Sequence, residues 1–143
     1  MRFMMIVRAT EDSEAGVLPS AEQLDAMMRY NMELARAGVL LAADGLHPSS
    51  GAIRISYPEP GGKAKITDGP FTEAKELIAG YTLIEVKTRE EAIEWAKRMP
   101  DPHGFGAGQI ELRQVFEPTD LTQDPQAQAK QYEMREHIQR QNP

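Results

Sequence analysis

Arg2-Phe3-Met4-Met5-Ile6-Val7-Arg8 sets five consecutive apolar residues between two arginines. The composition is that of a β-strand, in which successive side chains point to opposite faces. Phe3, Met5 and Val7 therefore face one way, and Met4 and Ile6 face the other. A strand that is apolar on both faces is covered on both. The rest of the chain has to supply two covers.

One cover is helical. After a polar loop over residues 9–19, Ser20-Ala21-Glu22-Gln23 has the form of a capping box. Leu24, Met27, Met28, Asn31 and Ala35 follow at helical spacing, and Gly38 suits the position just past the helix end. Asn31 is the one polar residue on that apolar stripe. Thr88-Arg89-Glu90-Glu91 is a second capping box, opening a helix with Ala92, Ile93, Trp95, Ala96 and Met99 that stops before Pro100. Strands are expected from Val39-Leu40-Leu41 to the Asp44-Gly45-Leu46-His47-Pro48 turn, over Ile78–Val86 and over Gln109–Phe116. Ala52–Tyr57 alternates polar and apolar residues. Pro58–Gly62 turns it back into Lys63–Thr67, which reads as a hairpin. Two helices among four long strands in this alternation indicate an α+β, ferredoxin-like sandwich with the hairpin inserted. Two helices cover one face of such a sheet. A second copy of the chain is the simplest cover for the other, so a homodimer with sheets face to face is expected.

At 143 residues the chain is of single-domain length. The expected division is a core domain over 1–117 and a polar helical tail over 118–143. Asp124-Pro125 reads as the start of a Gln-rich helix there, whose apolar groups are chiefly Tyr132, Met134 and Ile138. The net charge of −6 and the scattered Lys and Arg argue against nucleic acid as a partner. The absence of cysteine excludes disulfides, thiolate chemistry and Cys-ligated zinc. No apolar run is long enough for a signal-peptide core or a membrane span, so a cytoplasmic protein with no membrane partner is expected. His47, His103 and His137 are too far apart to read as a metal set. Gly104-Phe105-Gly106-Ala107-Gly108 precedes a strand instead of a helix and reads as a flexible connection, with His103 in solvent. Neither a metal nor another cofactor is expected.

The densest chemistry lies in Asp68-Gly69-Pro70-Phe71-Thr72-Glu73-Ala74-Lys75-Glu76. Asp-Gly-Pro redirects the backbone, Phe71 offers a ring to bury, and four charged side chains share nine residues. That combination reads as an ordered polar loop of the kind that carries a site. Asp68 either makes a turn with Gly69 or presents its carboxylate to a cavity. Glu73 and Lys75 are candidates for holding a polar substrate. His47, three residues after Asp44, can serve as a base near neutral pH with Asp44 setting its tautomer. Arg54 can receive an anion or pair with Asp68, and Tyr81 can offer a hydroxyl. His47 and Asp68 are thus the candidate catalytic pair, with Asp44, Arg54, Glu73, Lys75 and Tyr81 as candidate substrate ligands.

The same nine residues resemble the Asp-Gly-Pro-Phe-Ala-Glu-Thr-Lys-Glu signature of the DGPF branch of YCII-related proteins, with Ala and Thr exchanged at the fifth and seventh places. Ala37–Leu41, Asp44–Pro48, Ile78–Ile84, Glu91–Ala96 and Ile110–Val115 extend the resemblance, which covers roughly residues 1–117. It implies a ferredoxin-like fold assembled as a dimeric α/β barrel, in a family whose function is mostly unassigned. Some members resemble small-ring enzymes such as a dehydrochlorinase acting on a chlorinated hydroxyquinol. In DGPF proteins a link to extracytoplasmic-function sigma factors is common. The wider group is thought to use a His–Asp pair with the His on the first helix. Ser20–Gly38 contains no His, so that pair does not carry over. Two functional classes stay open. One is a small-molecule-binding homodimer, able to act as an enzyme by acid–base elimination chemistry on a small polar or aromatic substrate. The other is a non-catalytic accessory protein of a sigma factor.

Overall fold

A computed structural model describes residues 1–104 and 106–142. The central strand β1 (Arg2–Arg8) pairs antiparallel with β5 (Ile78–Glu85) on one side and β6 (Ile110–Gln114) on the other. Strand β2 (Leu40–Gly45) adds to the far side of β5, so the sheet order is β2-β5-β1-β6. This is the antiparallel order of a ferredoxin-like α+β fold. Strands β3 (Ile53–Ser56) and β4 (Lys65–Asp68) form a separate two-stranded hairpin. The expected insertion is present, and both of its strands are exposed throughout.

The polar loop expected before the first long helix contains a short helix, α1 (Glu11–Glu14), capped by Thr10 and Ser13 in a reciprocal box. Helix α2 (Ala21–Arg36) starts as the sequence requires. The Ser20 hydroxyl accepts from the Gln23 N–H at 3.2 Å, and the Gln23 carboxamide oxygen accepts from the Ser20 N–H at 2.9 Å. It ends at Gly38, whose φ of 75° is the left-handed conformation that favours glycine. Helix α3 (Arg89–Lys97) is capped by Thr88, but the expected box closes one residue early. The Glu91 carboxylate takes the Lys87 N–H, at 3.1 Å, and not that of Thr88.

Helices α2 and α3 cover one face. Phe3, Met5, Tyr30, Leu34, Ile84 and Ala92 form the buried cluster, with Met27, Trp95 and Leu112 packed on it. The Tyr30 hydroxyl locks the layer by donating to the Trp95 carbonyl at 2.7 Å. Alternation sends Met4 and Ile6 to the opposite face beside their strand partners Leu83 and Tyr81, and all four are only half-buried. After β6 the chain makes α4 (Pro118–Leu121) and then α5 (Pro125–Gln141). The Glu117 carboxylate ties this tail to the body between Arg2, at 2.9 Å, and Arg135, at 2.7 Å. No helix among the described residues is long and apolar enough to cross a membrane.

Candidate functional site

Three strand ends converge at one edge of the molecule: the end of β1, the start of β5 and the end of β2. Helix α2 crosses above them, and a cleft of about 680 Å³ lies between. Val7, Ala43, Gly80 and Thr82 contribute from the sheet, and Leu24, Met27 and Asn31 from the helix. The segment from Asp12 to Pro19 forms one wall, residues 44–48 a second, and residues 99, 102 and 103 close an end. The lining is mostly apolar with a few polar groups, the composition of a small-molecule site.

Asn31 is the polar residue of most consequence here. Its Oδ1 is fully buried and has no hydrogen-bond partner among the described residues. A buried carbonyl without a donor is costly. In the sequence Asn31 stood out as a polar residue on an apolar stripe, able to bond a strand end or to reach into a site.

Of the residues singled out from the sequence, Asp44, His47 and Tyr81 line this cleft. Asp44 and Tyr81 are cross-strand partners on β2 and β5, and the phenol donates to the carboxylate at 3.0 Å. That hydrogen bond, and then the charge of Asp44, hold the phenol above its ordinary pKa, so it stays a donor at neutral pH. No hydrogen bond or ion pair joins His47 to Asp44 among the described residues, and the His47 side chain is exposed at the rim.

Asp68, Glu73, Lys75 and Arg54 are not among the lining residues. Arg54 lies on β3, and the other three belong to the signature segment, which is built around backbone contacts. Gly69 donates its N–H to the Ala52 carbonyl at 2.8 Å, and a Cβ at Gly69 would overlap the Ser49 carbonyl oxygen. Any larger residue there would force the two loops apart. The buried Ser49 is the hub: its hydroxyl donates to the Glu14 carboxylate and accepts the Phe71 N–H at 3.0 Å. Its own N–H also reaches Glu14, at 2.9 Å. The Arg8 guanidinium donates to the Lys75 carbonyl, and Ala9 donates to Leu77 at 3.0 Å. Phe71, expected as a buried ring, is half-buried, with the Arg54 guanidinium 3.7 Å from its centroid. Arg54 is thus occupied by an aromatic face.

The glycine-rich connection also differs from expectation. Asp101 accepts the N–H groups of His103 and Gly106, at 3.0 and 2.7 Å, and those backbone bonds, led by that from His103, lower its pKa. The His103 carbonyl takes the Gln23 carboxamide at 2.6 Å, and its ring Nε2 donates to the Arg8 carbonyl at 2.9 Å. His103 is therefore a half-buried part of the cleft wall and not a solvated side chain. Sequence reasoning missed it because its partners lie 80 and 95 residues away. Phe105 lies outside the described residues.

The family model described as the YCII-related domain matches residues 1–119. The chain belongs to the YCII-related family. An uncharacterized protein of Rhizobium meliloti (strain 1021) is 27% identical to it over 99 residues, spanning 68% of this chain and 76% of the relative. Every YCII-related element that forms the cleft falls inside the matched residues, whereas α5 lies beyond them.

Proposed function

We propose that this YCII-related protein binds a compact, largely apolar small molecule in the cleft between α2 and the sheet. A cleft of about 680 Å³ with a mostly apolar lining and a few polar groups, large enough for such a ligand, carries the reading. The protein acts as a homodimer in which the face bearing Met4, Ile6 and Leu83 meets its own copy, giving the barrel expected of the fold. Any chemistry on the ligand is acid–base in type. His47 at the rim is the base. Asp68, Glu73 and Lys75 serve this site indirectly, by holding the segment that is latched through Ser49 to the α1 wall.

Titration of the labelled protein with a fragment set, followed by amide chemical shifts, tests this reading. The expected shifts centre on Asn31, Gly80 and Thr82. Shifts centred on residues 68–76 instead, or no shifts at millimolar ligand, would overturn it.

A further inference from the structure

Resting on the cleft as the binding site, we infer that Gly45 sets its specificity, by leaving bare strand backbone on which a flat ring system lies. Gly45 and Gly80 are cross-strand partners on β2 and β5, and Val7 on β1 completes the row. The neighbouring row is Met5, Thr82 and Ala43. Met5 lies in the cluster buried under the helices, so alternation turns both rows toward α2. At the Gly45–Gly80 pair the floor of the cleft is thus main chain alone.

The two glycines are there for different reasons. A Cβ on Gly80 would come within 2.9 Å of the Asp44 carbonyl oxygen and 3.3 Å of the Gly45 Cα. Close strand packing therefore requires that glycine. Gly45 answers to no such demand. Its φ is not left-handed, and a Cβ there would meet nothing nearer than the Ala79 carbonyl oxygen, at 3.9 Å. The register shift of β2 lies at the other end of the strand, between Leu40 and Ala42. A glycine in a strand weakens it, and with bulge, backbone conformation and packing set aside, close approach of a ligand is the reason left.

The shape of the bare strip selects the ligand. Directly opposed residues on paired strands stand about 5 Å apart, so the strip is about one aromatic ring wide. Leu24 and Met27 of α2 border the cleft across from it and suit the second face of a ring. A saturated ring system of the same skeleton is thicker and loses that fit. Thr82 adds a polar contact beside the strip. It is 4% exposed and lines the cleft, and its hydroxyl has no hydrogen-bond partner among the described residues. Unlike Asn31 Oδ1, that hydroxyl is not sealed from the cleft, and it can donate or accept.

Two probes of one skeleton test the inference: 2-naphthol, which is flat, and decahydro-2-naphthol, which is not. Each is titrated at neutral pH against the full chain and followed by amide chemical shifts. The flat probe is expected to bind about tenfold tighter, with shifts at Gly45, Gly80 and Thr82. Gly45→Ala should fold with an unchanged or higher Tm, because alanine adopts such a φ without strain. It is expected to bring the two probes to within about twofold of each other by weakening 2-naphthol. Gly80→Ala should instead lower Tm, since its Cβ meets main chain. Equal binding of the two probes by the wild type would overturn the role of Gly45 while the cleft stood. So would a Gly45→Ala variant that keeps the preference, or one that does not fold. Absence of shifts at the lining residues with either probe would instead remove the cleft reading itself.

Discussion

Tyr30 shows how a single side chain couples packing to protonation. It is 4% exposed, and its hydroxyl joins α2 to the end of α3 through the Trp95 carbonyl. Burial pushes the phenol up to about 12, with Glu33 adding to the rise and the Arg98 charge opposing it. The proton is thus held more tightly in the folded state than in the unfolded one, whose value is 10.0. The associated stability is fully present below 10.0 and is lost as pH rises through about 12. Tyr30→Phe is expected to cost about 1 kcal/mol at neutral pH, because the Trp95 carbonyl loses the phenol and keeps only the Arg98 N–H. It should also flatten the alkaline limb of the stability profile. Urea unfolding at neutral and alkaline pH checks both, and a variant with the wild-type limb would assign the alkaline loss to other groups.

At the scale of elements, two latches decide what moves with what. Among the described residues the Ser49 hydroxyl is the only side-chain group that binds both α1 and the signature segment, so Ser49→Ala separates them. The expected loss is about 2 kcal/mol, from an unpaired Phe71 N–H and a carboxylate with one bond fewer. Hydrogen exchange at Phe71 should quicken, while exchange in the β1 and β5 ladder stays slow. Unchanged exchange at Phe71 would show that backbone packing at Gly69 suffices. The second latch is Glu117. Burial raises its pKa, but the hydrogen bonds from Arg2 and Arg135 and their charges outweigh this, and the carboxyl ends below 4.5. A lowered value means stability present above 4.5 and lost as pH falls through the folded value. Glu117→Gln is therefore expected to free α5 at neutral pH as acid does in the native protein, at a local cost of about 1 kcal/mol. Faster proteolytic cleavage in residues 118–124 reads it out, and equal rates would mean that α5 is held by its packing. Because Arg2 begins β1 and the cleft lies past its other end, about 20 Å away by strand rise, the latch leaves ligand binding unaltered.

For the whole molecule, the question is what lies on the second sheet face. The two helices leave Met4, Ile6 and Leu83 half-buried in neighbouring positions on adjacent strands. An apolar sheet face of this kind is stable in water when a matching face covers it. Under the proposed homodimer, Leu83→Asp places two carboxylates across the twofold interface. It is expected to convert a dimer of about 32 kDa, twice the 16.0 kDa chain, into a monomer by light scattering. A monomeric wild-type protein at micromolar concentration would remove the homodimer while leaving the cleft reading in place.

Much of this architecture is written locally. The doubly apolar β1, the Ser20–Gln23 box, Gly38 past the helix end and the alternating hairpin each act through neighbours a few residues away. Element type and order are therefore legible from the sequence, and with them the ferredoxin-like arrangement. Asp44, His47 and Tyr81 were legible as neighbours because a turn and a strand fix where they emerge, and all three border the one cleft. The role of the signature segment was not legible, because its charges suggested chemistry while its backbone supplies the contacts. Which side of Asn31 meets the sheet, which carbonyl holds His103 and whether Arg54 faces an acid or a ring depend on groups brought together across dozens of residues. The strands, the helices and their order are set by local residues, since short-range hydrogen bonding and side-chain period suffice for these. Where the cleft lies and which buried polar atom lacks a partner follow from the folded packing alone, because cavities and unpaired atoms arise from long-range contacts.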